Sequence, residues 1–255
     1  MNFFFPIHNN YLKCELCVPR FQNYKKTNDK FKLFSAEIKE NKWAVKLVDC
    51  DFNKDFFFLT NKNFSNDKIF FLAELKIGEN FFLNELKNFN NYTDTEPDYR
   101  SNLNIEIEDG GFSSYQSDYP FDLTLKNGSI ATPVSVLLNK EAEKNLIFFR
   151  NIFKLPIKSK FNVYFVDLLN KQVVHKEILT TNKTNQIDVD KNFIKPNIYL
   201  YSENYIGIPI YVSIKNKHLS MEHSHPPHLY IWGDDKFKRV QDLKKSIHEI
   251  IQKNI

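Results

Sequence analysis

The chain has 255 residues, long enough for one large or two small domains with a real core. Apolar residues make up 42% and Phe alone numbers 25, which excludes an intrinsically disordered chain. The formal net charge is only +4 and the lysines are scattered among acids, so the concentrated basic stripe of a dedicated nucleic-acid binder is missing.

Residues 1–6 are too short, and lack the basic region, for a signal peptide. No apolar run approaches the length of a membrane span. The expectation is a soluble, cytoplasmic protein with neither nucleic acid nor membrane as partner. Cys14 and Cys17 form a single CxxC inside a strand-like run, with no second pair to complete a zinc knuckle and no sign of a thioredoxin site. With Cys50, they read as free thiols of a reducing compartment.

Runs rich in Phe, Ile, Val and Tyr, bounded by Asn, Asp, Lys or Gly, predict strands along most of the chain. They fall near residues 11–18, 31–38, 43–50, 55–60 and 68–76, then 102–108, 121–125, 131–138, 146–154 and 160–168, and finally 172–179, 197–202, 208–214 and 217–225. Residues 81–90 carry Phe82, Leu83, Leu86 and Phe89 at the spacing of a short helix. Lys62-Asn63-Phe64, Ile69 and Glu74 recur as Lys191-Asn192-Phe193, Ile198 and Glu203, each set following a Val-Asp pair (Val48-Asp49 and Val166-Asp167). Two related β-sandwich halves would explain the echo, and so would chance in a Lys/Asn/Phe-rich chain.

The middle of the chain is different in kind. Glu96-Pro97-Asp98-Tyr99-Arg100 leads into a strand, and residues 109–120 then read as a polar loop holding two of the six glycines, Gly110 and Gly111. Asp109, Ser113, Ser114, Tyr115, Gln116, Asp118 and Tyr119 there, with Arg100 before them, are the rings and hydrogen-bonding groups a sugar or another polar ligand needs. A hairpin turn at Gly110-Gly111 followed by a surface loop is the plainer alternative. Arg150 stands in the apolar run 146–153, where a guanidinium needs either an internal carboxylate or an anionic ligand.

Four of the seven histidines (His218, His223, His225 and His228) lie between residues 218 and 228. Before them Ile206, Ile208, Ile210, Val212 and Ile214 alternate with other residues, the period of a strand. A hairpin closing with 214 opposite 217 sets Val212 against Leu219, Ile210 against Met221, Ile208 against His223 and Ile206 against His225. His223 and His225 then share the apolar face, roughly 7 Å apart. With His228 beyond Pro226-Pro227, they would offer imidazoles to a divalent transition metal. Histidines hydrogen-bonded at the end of a core, or lying on the surface, are the alternative. At the C-terminus Asp234 or Asp235 can cap a helix over 234–254, with Phe237, Val240, Leu243, Ile247, Ile250 and Ile251 on one face.

No P-loop, GxGxxG, GxSxG or HExxH is present. The expected fold is all-β, mainly antiparallel β-sandwich(es) with a C-terminal amphipathic helix, divided into an N-terminal β domain (1–92) and a second sandwich (93–255). Three functions are open on this evidence. The leading one is a binding or accessory protein for a polar small molecule or glycan, with Arg150 and the 109–120 loop as its site. The others are a metal-dependent enzyme built on His223, His225 and His228, and a structural or assembly subunit seen as an oligomer.

Overall fold

Apolar residues at every second position, with Asn, Asp and Lys between the runs, leave the chain little choice but strands and tight turns. The computed structural model describes residues 2–20, 31–74, 77–89, 101–223 and 236–254. Its first strands are β1 (Asn2–Phe4), β2 (Lys13–Pro19), β3 (Phe31–Lys39), β4 (Lys42–Leu47), β5 (Asp51–Phe52), β6 (Phe56–Thr60), β7 (Ile69–Glu74) and β8 (Asn80–Leu83). Next come β9 (Asn102–Glu106), β10 (Phe112–Gln116), β11 (Asp118–Pro120) and β12 (Ile130–Pro133). The last set is β13 (Lys144–Arg150), β14 (Lys160–Asp167), β15 (Gln172–Thr180), β16 (Thr184–Asp188), β17 (Ile198–Ser202), β18 (Ile208–Lys215) and β19 (His218–His223), followed by helix α1 (Lys236–Asn254).

The described strands form four antiparallel sheets arranged like a four-bladed propeller. Sheet one runs β11-β1-β7-β3-β4-β8, sheet two β10-β9-β2-β6-β5, sheet three β12-β17-β14-β15 and sheet four β16-β13-β18-β19. The mainly antiparallel, all-β character and the C-terminal helix are thus as expected from the sequence. β9 and β11 lie beyond the boundary expected at 92/93 and pair with β2 and β1, which lie before it, while β10 pairs with β9.

The second half repeats the first strand for strand. Removing β5, β8 and β11 leaves sheet one as β1-β7-β3-β4, which sheet three copies as β12-β17-β14-β15. Sheet two becomes β10-β9-β2-β6, which sheet four copies as β19-β18-β13-β16. Chain order agrees at every position of both series. Registers correspond as well: Phe34 opposes Phe71 as Phe165 opposes Leu200. Leu16 lies between Leu59 and Leu103 as Ile147 lies between Ile187 and Tyr211. The Lys-Asn-Phe echo falls at equivalent places, and Ile69 and Ile198 open the equivalent strands β7 and β17. The Val-Asp pairs do not correspond, since Val48-Asp49 follows β4 while Val166-Asp167 ends β14.

Three cores hold the sheets together. The largest gathers sheets one and two with one face of sheet four, through Leu146, Phe148, Ile208, Ile210, Val212 and Met221. The other face of sheet four, through Ile147, Phe149, Ile187 and Tyr211, packs on Val163, Phe165, Ile198 and Leu200 of sheet three. Helix α1 closes the far side of sheet three, setting Ile247, Ile250 and Ile251 on Tyr164, Val166 and Tyr201. Each such aliphatic is worth roughly 1.5–3 kcal/mol when taken fully out of water. The Asp234 and Asp235 caps expected for this helix lie outside the described residues.

Several local expectations are corrected. Residues 121–125 form a 3-10 turn rather than a strand, and 80–83 form β8 rather than a helix. Residues 109–120 are mostly β10 and β11, not an open loop. The 208–223 hairpin closes with Lys215 opposite His218, so His223 meets Ile210, Met221 meets Val212 and Leu219 meets Ile214. Asn216 and Lys217 both take positive φ, 48° and 62°, the two-residue turn that matches strand twist. The shift of two residues leaves the inward parity of His223 intact.

The β9–β10 turn docks on this hairpin. Gly111 N–H donates to Lys217 O at 2.5 Å, and a Cβ on Gly111 would stand 2.7 Å from Leu219 N and 2.9 Å from Lys217 O. Both obstacles are backbone and cannot swing away. Gly111→Ala is therefore expected to lower the unfolding free energy by about 1–3 kcal/mol, the usual cost of overpacking. Gly78→Ala, where a Cβ meets nothing within 4 Å, is the control and should shift the urea midpoint little.

Candidate functional site

Alternation decides where the residues of 109–120 go. Asp109 sits exposed in the turn at φ 53°. Ser114 and Gln116 point outward from sheet two, while Ser113 and Tyr115 are half-buried. Asp118 and Tyr119 are core residues, with Asp118 accepting from Ser101 Oγ at 3.1 Å and Tyr119 Oη donating to Ile206 O at 3.4 Å. Burial raises the Tyr119 hydroxyl well above its ordinary pKa. Arg100 lies outside the described residues.

Tyr115 and His223 do meet. Their ring centroids are 4.0 Å apart, and Tyr115 Oη is hydrogen-bonded to His223 Nε2. The contact spans the edge strands β10 and β19, where sheets two and four come together. His225 and His228 lie outside the described residues. Among the described residues no group of three or more His, Cys, Asp or Glu side chains could hold a metal ion. Cys14 and Cys17 point to opposite faces of β2, as an odd separation on a strand requires. Cys17 joins a polar ladder on the outward face of sheet two, donating to Glu15 Oε1 at 3.3 Å, with Asn104 Nδ2 bonded to the same oxygen at 3.2 Å and Ser114 Oγ donating to Asn104 Oδ1 at 2.8 Å.

Arg150 ends β13 with no solvent exposure. Its Nη1 donates to Asn66 O at 2.7 Å and to Thr184 Oγ1 at 3.2 Å, and no carboxylate bonds it. Burial pulls the guanidinium down to about 9, against smaller upward pulls from Asp67 and Tyr119, so it stays charged at neutral pH.

A well-formed concavity among the described residues lies elsewhere. A cleft of about 490 Å³, within the range of small-molecule sites, opens where four connections converge: 124–127, 153–159, the turn at 181, and 204–205. None of the residues singled out from the sequence lines it. Asn182, at φ 56° in the β15–β16 turn, builds one wall. Its Oδ1 accepts from Phe153 N at 2.7 Å, and its Nδ2 donates to Leu155 O and Ile157 O, each at 3.0 Å. Thr181 Oγ1 adds a bond to Ile157 O at 2.7 Å and accepts from Ser159 N at 2.8 Å. Lys154 fastens the wall to the first half: its N–H donates to Thr124 O at 3.0 Å, and its carbonyl accepts from Leu86 N at 2.9 Å and Trp43 Nε1 at 3.0 Å.

Tyr205 stacks on Phe161 with centroids 4.4 Å apart and meets Phe153 edge-on at 5.7 Å. Leu125, Leu155 and Ile157 stand at the rim, 56%, 49% and 49% exposed, an unusual concentration of aliphatic surface beside a cleft. Asn127, Asn204 and Ser159 add amides and a hydroxyl. Lys154 is the only charged side chain among the described lining residues, and its Nζ lies 2.8 Å from Glu85. The sequence held one sign of this place: Leu155-Pro156-Ile157 sets two aliphatics around a proline between strands, where a connection is ordinarily polar.

Asn182→Ala should remove the three wall bonds and place alanine at positive φ, so the expected loss is about 2–4 kcal/mol in urea unfolding. Burial pushes the Cys14 and Cys17 thiols up from 9.0 to about 12, and the carboxylate of Glu15 adds to the effect at Cys17. The folded state thus keeps protons that the unfolded chain releases, so stability is full below pH 9 and falls as pH climbs from 9 toward 12. Cys14→Ala/Cys17→Ser should flatten that fall, as read from melting temperature against pH.

No family model matches the chain, and neither a curated protein nor a solved structure shows significant similarity to it.

Proposed function

We propose that the protein is a binding module for an uncharged polar small molecule with an apolar face, of carbohydrate-like chemistry, and that the ligand sits in the 124–205 cleft. One observation carries the reading: a cleft of drug-ligand size pairs the Phe153 and Tyr205 rings and three rim aliphatics with the Asn127 and Asn204 amides and the Ser159 hydroxyl. Rings and aliphatics suit an apolar ring face, and amides and hydroxyls suit the hydroxyls at its edge. Among the described lining residues there is no acid, and Glu85 offsets their single cation, which argues for a neutral ligand. The scaffold behind this reading is two sandwich-like pairs of sheets, with the link between the two halves and three connections of the second half meeting at the cleft. Binding groups borne on connections over a rigid sheet framework are a common arrangement.

The test is a titration with neutral mono- and disaccharides, followed by backbone amide NMR shifts. Shifts concentrated at 153–159 and 204–205 are expected. Ile157→Asp, at a half-exposed rim position, should weaken binding about tenfold or more, roughly 1.4 kcal/mol, with the melting temperature little changed. Shifts that avoid these residues across the whole panel would overturn the proposal.

A further inference from the structure

We propose that Arg150 holds a small monovalent inorganic anion inside the protein, on its Nε–H and Nη2–H edge. The guanidinium uses its other edge for the protein: Nη1 donates to Asn66 O and Thr184 Oγ1. Nε and Nη2 are buried and meet no acceptor of the protein. These two N–H groups lie side by side and point the same way. That is the fork with which arginine grips two oxygens of an anion or straddles a single halide.

Among the described residues no carboxylate is hydrogen-bonded to this charge. Asp67, the acid that acts on Arg150, lies 2.6 Å from Lys158 Nζ, so that pair is already neutral between its members. Asn151, the next residue, adds a buried Nδ2 that also lacks an acceptor. Buried donors here outnumber the acceptors they meet. An uncompensated charge away from water is among the most expensive features a fold can hold, and arginine does not relieve it by losing its proton. A water molecule would answer the hydrogen bonds but not the charge. The complete burial of Arg150 keeps the anion small, and a single charge to offset makes it monovalent.

Such an anion would sit at a junction. Asn66 O accepts from Thr184 N at 2.7 Å as well as from Arg150, and the Asn66 side chain pairs with the backbone N–H and C=O of His8, each at 3.1 Å. Thr184 Oγ1 in turn donates to Pro6 O at 3.2 Å. Fixing Arg150 therefore fixes the N-terminal segment and the 61–68 connection against sheet four. A ligand that binds only the folded state raises its stability with the logarithm of ligand concentration.

Bromide and chloride are the probes. Crystals soaked in bromide are expected to show an anomalous peak within hydrogen-bond distance of both Nε and Nη2. At constant ionic strength, replacing gluconate by chloride should raise the melting temperature of the wild-type protein in proportion to log concentration. Arg150→Met should lose that dependence. If this variant does not fold, the bromide peak in the wild-type crystal decides alone. A water-like peak without anomalous signal, or a melting temperature indifferent to chloride, would overturn the proposal. Neither result bears on the saccharide titration of the cleft, which reads other residues.

Discussion

The two central strands of sheet four have no solvent face. β13 and β18 send Leu146, Phe148, Ile210 and Val212 into the large core, and Ile147, Phe149 and Tyr211 into the second. The sheet is a wall shared by two cores, and the molecule stays in one piece because both cores need it. Every polar group built into the wall must find its partner inside the protein. Ser213 and Asn145 do so as a pair: Ser213 Oγ donates to Asn145 Oδ1 at 2.6 Å, and Asn145 Nδ2 donates to Asn139 O at 3.0 Å. Arg150 is a member whose needs the protein meets only in part.

The strand-for-strand repeat makes clear why the wall is asymmetric. Glu15, Cys17, Asn104 and Ser114 on sheet two occupy the places of Leu146, Phe148, Val212 and Met221 on sheet four. The polar set faces outward from sheet two, and the apolar set is buried against the first half. Sheet three is finished differently. The sheet three face bearing Tyr164 and Tyr201 corresponds to Leu33 and Leu72 of sheet one, which the common core closes. On sheet three the helix closes it instead, held also by Lys244 Nζ donating to Ser129 O at 2.6 Å and by His248 Nδ1 at 3.0 Å from Glu203 Oε1. A sheet face that no other sheet covers needs either polar side chains or a covering element, and this chain uses one device of each kind.

What the sequence made legible was local. The apolar run 146–153 implied burial of Arg150, and the alternation of 206–223 implied that His223 faces inward. His223 keeps its parity because parity survives a two-residue slip, and Arg150 is fully buried because both faces of β13 are covered. The register did slip, because the two-residue turn sits on Asn216 and Lys217, both of which adopt left-handed backbone, one position later than a turn on 215–216. In sequence β10 resembles a loop because Ser113, Ser114 and Gln116 are poor strand formers, and pairing with β9 overrides that preference. The cleft was illegible for a deeper reason. Its walls come from four connections far apart in sequence, brought together by strand order, and strand order is the feature that periodicity does not encode.

Composition carried one further kind of information, and its limit is instructive. In a chain with six glycines, an adjacent pair suggests a constrained position. The constraint is real: side chains on Gly110 and Gly111 would collide with the backbone of residues 217–219. Gly207 repeats the lesson, since a Cβ there would stand 2.7 Å from Arg150 O and from the Phe149 ring. All three glycines answer to neighbouring protein in this fold, not to a ligand. Scarcity of a residue type therefore marks where the backbone has no room, but not what takes the room. A glycine forced by a passing strand and one forced by a bound sugar look alike in one sequence. Only the identity of the atoms within 3 Å of the missing Cβ separates them, and here those atoms belong to β13 and the β18–β19 hairpin.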